Sequence, residues 1–299
     1  MTSCAPSISG HTTVVGIIGW PVAHSLSPAM HNAAFAAAAL DYCYVPLPVP
    51  PDRLKDAVAG LRAMGLRGVN VTVPHKQAVI PFLDELSGPA RLLGAVNTIV
   101  NDEGMLRGEN TDGFGFMASL REETGFEARG TNCAVIGTGG AGRALAFTLA
   151  LEGAARLVLV NRPKSWAEAV AREMKDKADE LPDAIPQLSV HDLDEPDLPA
   201  RLVNCDLIVN STSLGMHEGD PSALPAEAFP PGAIVCDIVY TQPETLFSRL
   251  ARERGCRTVH GLGMLLHQGA RAFELWTGQK PDVEVMRSVL KNHLFGRAR

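Results

Sequence analysis

Apolar positions in the first hundred residues come in short runs that alternate with helical patterns. Val14 to Ile18, Tyr42 to Leu47, Arg67 to Val73 and Ala95 to Val100 read as strands. Between them, Pro28 to Leu40, Asp52 to Met64 and Gln77 to Glu85 read as helices. Leu54, Val58, Leu61 and Met64 recur at helical spacing and are read as core. This β-then-α order predicts a mostly parallel sheet covered by helices. Pro74 has no N–H for a ladder, so the third strand should stop there.

A second pattern starts near Thr131. Asn132 to Ile136 and Arg156 to Val160 read as strands, with a helix from Ala141 to Glu152 between them. Asp206 to Asn210 and Ala233 to Ile238 are further short apolar strands. Lys175 to Pro199, charged and proline-bearing, reads as a surface helix and loop, and 217 to 231 as another loop. Leu262 to Trp276 and Asp282 to Leu294 read as two terminal helices, divided by Gly278 and Pro281. Their pattern alone does not say which half they pack on. The whole is α/β in two domains, which 299 residues can supply.

Composition narrows the class of partner. The chain is 46% apolar, carries a net charge of −6 and has no long basic run, which argues against nucleic acid. No apolar stretch is long enough to cross a membrane. Met1 to His11 lacks the basic start and apolar run of a signal peptide and reads as a frayed tail. The six cysteines form no Cys-x-x-Cys pair, and no zinc spacing is visible; they read as small buried thiols of a cytoplasmic protein. No metal site is expected.

Five segments carry chemistry. Gly137-Thr138-Gly139-Gly140-Ala141-Gly142 satisfies G-x-G-x-x-G, and it follows a strand and opens a helix, as a dinucleotide fold requires. Gly137 permits the tight turn, Gly139 the approach of a pyrophosphate, and Gly142 close packing of helix on strand. The next strand ends at Asn161-Arg162, without the acidic residue that holds ribose hydroxyls in NAD sites. Arg162 and Lys164 would attract a ribose phosphate instead, which favours NADP. Asn70 to Lys76 places Thr72 and Lys76 where a strand opens into a loop, and Asn110-Thr111-Asp112-Gly113 offers a carboxylate in a similar setting. A lysine beside a carboxylate suits proton transfer on a hydroxylated substrate. Desolvation would favour neutral lysine, while the carboxylate of Asp112 pushes the other way, so Lys76 is read either as acid and base or as a stabiliser of negative charge on oxygen. Ser25 and Ser27, at a helix start, suit either a carboxylate or helix capping.

Taken together, these segments resemble the shikimate dehydrogenase family. The matching pieces are Ser25-Leu26-Ser27-Pro28, Asn70 to Lys76, Gly94-Ala95-Val96-Asn97-Thr98, Asn110 to Gly113, the glycine loop, Asn161-Arg162, Asn210 to Met216 and Gly261 to Gln268. The resemblance runs from about Val14 to Leu290, with these pieces in matching order.

The resemblance implies a substrate domain at 1–112 and 262–299 and a Rossmann-type NADP domain at 113–261. The terminal helices would return to the first. It implies an oxidoreductase that reversibly reduces 3-dehydroshikimate to shikimate with NADPH, a step toward chorismate and the aromatic amino acids, in a monomer or homodimer. Lys76 and Asp112 become the catalytic pair. Ser25 and Ser27, assisted by Tyr240, take the substrate carboxylate. Thr72, Asn97, Asp112 and Gln268 read the hydroxyls, with Asn70 in support. Thr212, Met216, Gly261 and Met264 border the nicotinamide, although Met264 reads equally as helix core.

The chain departs from the family where Pro163 and Trp166 replace a hydroxyl residue and a basic one after Asn161-Arg162, and His260 stands where an acid is common. This weakens the NADP preference, with Lys164 left to compensate. The rival within the family is a quinate/shikimate dehydrogenase of broader specificity that uses NAD. A non-catalytic nucleotide-binding regulator would not need both Lys76 and Asp112, and a folate-linked dehydrogenase would not need the Ser25/Ser27 pair and Gln268.

Overall fold

The computed structural model describes residues 8–181 and 184–296. The part of the expected tail before Ile8, Cys4 included, and residues 182–183 of the expected charged segment lie outside them. The chain divides into two compact units, Met1–Gly115 with Leu266–Arg299, and Phe116–Leu265. Both junctions fall inside helices.

The first unit runs β1 (Thr13–Gly19), α1 (Ser27–Ala37), β2 (Tyr42–Pro48), α2 (Leu54–Ala63), β3 (Gly68–Val71), α3 (His75–Ala78), β4 (Glu85–Leu86), α4 (Gly88–Leu93), β5 (Thr98–Asp102) and β6 (Met105–Glu109). The sheet order is β2-β1-β3-β5-β6-β4. Its β2-β1-β3 side is parallel, as the alternation predicts, but β5 runs antiparallel to both β3 and β6. The β5–β6 hairpin closes on Glu103 and Gly104, both at positive φ. Such two-residue turns follow the twist of the flanking strands. Glu-Gly lacks the usual Asn-Gly signature, so this hairpin does not show in the pattern.

Two expectations are corrected here. Gln77 to Glu85 is not one helix: α3 is a single short turn, followed by a 3-10 turn at Ile80–Phe82 and then β4. Pro81 cannot donate to a helical ladder there. Met64, expected in the core with Leu54, Val58 and Leu61, is 70% exposed, whereas those three are buried. It lies past the last residue of α2, where Gly65 turns the chain at positive φ.

After α5 (Asp112–Thr124), the second unit runs β7 (Asn132–Ile136), α6 (Gly140–Leu151), β8 (Arg156–Asn161), α7 (Lys164–Asp176), β9 (Gln187–Asp192), α8 (Leu198–Leu202), β10 (Leu207–Asn210), β11 (Ile234–Asp237), α9 (Leu246–Glu253) and β12 (Arg257–His260). Its sheet is wholly parallel in the order β12-β11-β10-β7-β8-β9. The strand order reverses between β7 and β10, which is the doubly wound dinucleotide topology and its ligand-binding switch point. The expected surface helix and loop at 175–199 is corrected: it contains β9, which pairs with β8. As an edge strand β9 keeps polar residues on both faces, so no buried run marks it.

α10 (Leu262–Thr277) and α11 (Val283–Phe295) close the chain. α11 packs against α1. Trp276, fully buried, donates its indole N–H to the Ile99 carbonyl at 3.0 Å across the bare backbone of Gly68.

Candidate active site

Lys76 and Asp112 come from separate elements and meet. Lys76 lies in α3, just past β3, and its backbone carbonyl accepts the Val96 N–H at 2.7 Å. Asp112 is the first residue of α5, and its N–H donates to Asn110 Oδ1 at 3.1 Å. Lys76 Nζ stands 2.6 Å from Asp112 Oδ2. The two side chains are 33% and 15% exposed, so the pair is reachable yet largely screened from water.

A polar network braces the pair. Asn97 Nδ2 donates to Asp112 Oδ1 and to Thr111 Oγ1, both at 2.9 Å. Asn97 Oδ1 accepts the Thr111 N–H at 2.8 Å and the Thr98 hydroxyl at 3.1 Å. Asn70 Nδ2 donates to Thr98 Oγ1 at 3.0 Å, and Asn70 Oδ1 accepts the Tyr44 hydroxyl at 2.7 Å. Tyr44 is also hydrogen-bonded by Ser27, and burial raises its phenol above the ordinary range. A continuous chain therefore runs from Ser27 through Tyr44, Asn70 and Asn97 to Asp112 and Lys76. Burial makes each of these bonds costly to leave unmade, so the network fixes the pair's orientation.

The other expected residues of this unit fall around that chain. Ser25 Oγ accepts the Ser27 N–H at 3.3 Å, while the N-cap residue of α1 is Leu26, which makes no side-chain cap. Thr72, half-buried, follows β3, and its methyl fills the place a side chain at Gly19 would take. Gln268 sits half-buried on α10, next to Gly269, whose missing side chain makes room for Met30 and His31 of α1. Sequence reasoning missed Tyr44, which sits in an apolar strand with no motif around it. Thr98, Asn110 and Thr111 lay within quoted motifs but were given no role.

In the second unit the glycine loop joins β7 to α6. Gly137 has positive φ, and a side chain at Gly142 would collide with the Gly137 carbonyl. Around Gly139 and Gly140 the space is open. Gly139 is the N-cap of α6 and supplies no side-chain cap, leaving the helix N–H groups available to an anion. Thr138 Oγ1 is buried without a hydrogen-bond partner. These features fit a dinucleotide pyrophosphate. Asn161 Oδ1 accepts the Thr138 N–H at 2.8 Å, so Asn161 shapes the loop from beneath. Ser211, also unassigned from sequence, donates to the Gly137 carbonyl at 2.6 Å and ties the loop to the end of β10.

Thr212 Oγ1 donates to Asn210 Oδ1 at 2.8 Å, and Met216 is exposed. Gly261 abuts the backbone of Ile238, so only glycine fits, and Met264 is half-buried. Tyr240 follows β11, and burial raises its phenol. Arg162 and Lys164 are not free cations: Arg162 pairs with Asp194 at 3.2 Å and Lys164 with Glu195 at 3.0 Å. No acid stands at the end of β8, but the end of β9 brings these in.

Comparison with known proteins gives the family. Residues 17–99 match the shikimate dehydrogenase substrate binding domain, and residues 261–291 match the shikimate 5'-dehydrogenase C-terminal domain. A shikimate dehydrogenase (NADP(+)) of Methanopyrus kandleri is 46% identical over 98% of this chain and 99% of its own. The chain belongs to the shikimate dehydrogenase family. Among solved structures, a shikimate dehydrogenase in complex with NADP+ superposes with a TM-score of 0.89 at 38% identity, covering 97% of this chain and 99% of the other. A Listeria monocytogenes shikimate 5-dehydrogenase in complex with shikimate and NAD gives 0.88 at 40% identity, over 95% and 98%. The shikimate dehydrogenase fold thus accounts for both units, and the chain is an NADP-dependent oxidoreductase. Among the described residues no helix is long and apolar enough to cross a membrane.

Proposed function

We propose that this chain reversibly reduces 3-dehydroshikimate to shikimate with NADPH, using Lys76 and Asp112 as its acid/base pair. The observation that carries this reading is the Lys76–Asp112 contact at 2.6 Å, braced by Asn97. The cofactor, when bound on Gly137 to Gly142, supplies the hydride. Lys76 Nζ gives the proton to the substrate oxygen on reduction and takes it back on oxidation. Asp112 holds the amine in place, and Asn97 holds Asp112, so the proton donor needs no reorientation during the reaction.

Ser25 and Ser27, beside the start of α1, are suited to the substrate carboxylate, because neither caps the helix from the N-cap position. Thr72, Asn97, Asp112 and Gln268 read the ring hydroxyls. Such a site rejects analogues lacking a hydroxyl, since its polar groups would be left unpaired. Thr138, Asn161, Arg162, Lys164, Thr212, Met216, Gly261 and Met264 complete the cofactor side. The enzyme works in the cytoplasm as a monomer or homodimer, which sedimentation equilibrium distinguishes.

The test is steady-state oxidation of shikimate and of quinate, each with NADP and with NAD. Shikimate with NADP should give the highest kcat/KM. Quinate with NAD in that place would establish the broader quinate/shikimate activity instead. Lys76→Ala should lower kcat about 10²- to 10⁴-fold, with NADP binding by fluorescence titration almost unchanged. Near-normal turnover would remove Lys76 from the mechanism.

A further inference from the structure

We propose that Asp194 is a specificity-determining residue: it holds Arg162 by a carboxylate, so that the ribose phosphate of NADP must displace it, and it narrows the enzyme's preference for NADP over NAD. The inference rests on the reading above that Arg162 and Lys164 face the adenosine ribose.

The arrangement follows from sheet register. β8 and β9 are parallel, with Asn161 opposite Asp192 at their ends. The residues that follow the two strands are therefore neighbours, which brings the basic Arg162 and Lys164 against the acidic Asp192, Asp194 and Glu195. Arg162 Nη1 lies 3.2 and 3.4 Å from the two Asp194 oxygens. Lys164 Nζ donates to Glu195 Oε1 at 3.0 Å, and the Lys164 N–H donates to Asp192 Oδ2 at 3.0 Å. Two cations thus face three carboxylates. Glu195 is fixed further by the Asp192 N–H at 3.0 Å and His191 Nδ1 at 2.7 Å, and these donors hold its carboxyl down at about 2. Asp194 is less tied, and the Arg162–Asp194 side chains are 61% and 65% exposed. Of the two acidic partners, Asp194 is the one that can yield.

The chemistry separates the two dinucleotides. A ribose with both hydroxyls donates to carboxylates, the role an acid plays in NAD sites. A ribose phosphate needs the guanidinium, which it can engage through two parallel N–H bonds. It must draw Arg162 away from Asp194 and then sit near the carboxylate left behind. An exposed ion pair is cheap to break, so NADP still binds. The residual repulsion falls on NADP alone.

The experiment is calorimetric titration of the full chain with NADP+ and with NAD+, for wild type, Asp194→Asn, Arg162→Gln and the double variant. Asp194→Asn should tighten NADP+ about three- to fivefold at low salt, the range of an exposed charge contact, and leave NAD+ unchanged or weaker. The gain should shrink as salt screens the charges and fall once Arg162 is gone, when only the carboxylate–phosphate repulsion is left to relieve. Because Asp194 is exposed, the variant's thermal midpoint should match wild type. The inference is overturned if both dinucleotides shift alike, if NADP+ binding does not change, or if the gain is undiminished without Arg162. Should wild type bind neither dinucleotide, it is the cofactor reading itself that fails.

Discussion

Asn97 holds the geometry of a pair to which it does not belong. Its amide donates to Asp112 and Thr111, and its carbonyl accepts from the backbone of Thr111. Truncation would strip the brace from Asp112 and orphan the buried Thr111 N–H, at a cost of about 1 to 3 kcal/mol. Asn97→Ala should therefore lose both stability and turnover, with kcat falling roughly ten- to a hundredfold from misplacement of the pair. Urea unfolding and steady-state kinetics on the same preparation check this; full activity would show that Asp112 is held without it. Aspartate in place of Asn97 is expected to do worse, because it sets a second carboxylate against Asp112.

At the scale of elements, the turn from β7 into α6 separates two glycines of one motif. A side chain at Gly142 would strike the Gly137 carbonyl and the Ser211 hydroxyl, and backbone cannot give way as a flexible side chain can. Gly142→Ala should cost about 1 to 3 kcal/mol or more from overpacking. Around Gly139 the space is empty and its φ of −66° suits any residue. Gly139→Ala should keep stability within about 0.5 kcal/mol and still weaken NADP binding, because its methyl would stand where the phosphates approach. Thermal unfolding and a fluorescence titration of the two variants test the contrast, and equal effects on both measurements would refute it. Both glycines were legible from the motif, and the close packing read for Gly142 is present in the structure. Legibility was poorer for β9 and β12, where edge position or short length leaves no apolar run, and for the β5–β6 hairpin.

At the scale of the whole molecule, His31 should make the fold sensitive to mild acid. It is fully buried in the first unit with neither ring nitrogen hydrogen-bonded, and it stacks on Tyr44 at 4.5 Å. Burial lowers its imidazole from 6.5 to about 3. Between those two values the unfolded chain binds a proton that the folded chain excludes. His31 therefore favours folding above pH 6.5, and that advantage is lost as pH falls toward 3, by at most about 1.4 kcal/mol per pH unit. His31→Phe keeps the stack and removes the titration, so its unfolding midpoint should vary less between pH 5 and 7 than the wild type's. Parallel curves for the two proteins would show that the acid response lies elsewhere. His31 lies within α1, and no local pattern tells that this helix is covered there by Trp276 and the bare face of Gly269.

The chain's own pattern determined the alternation of strands and helices and the glycine-rich turn, and it singled out Lys76 and Asp112 as candidates, because each is written in spacing or in a short contiguous motif. Tertiary structure alone decided the rest. Tyr44 and Asn70 are 26 residues apart, and Arg162 and Asp194 are 32 apart. Strand pairing brings each couple together, and no local periodicity encodes which strands become neighbours. The acids facing Arg162 were invisible for that reason: they follow β9, and only its register against β8 sets them beside the bases.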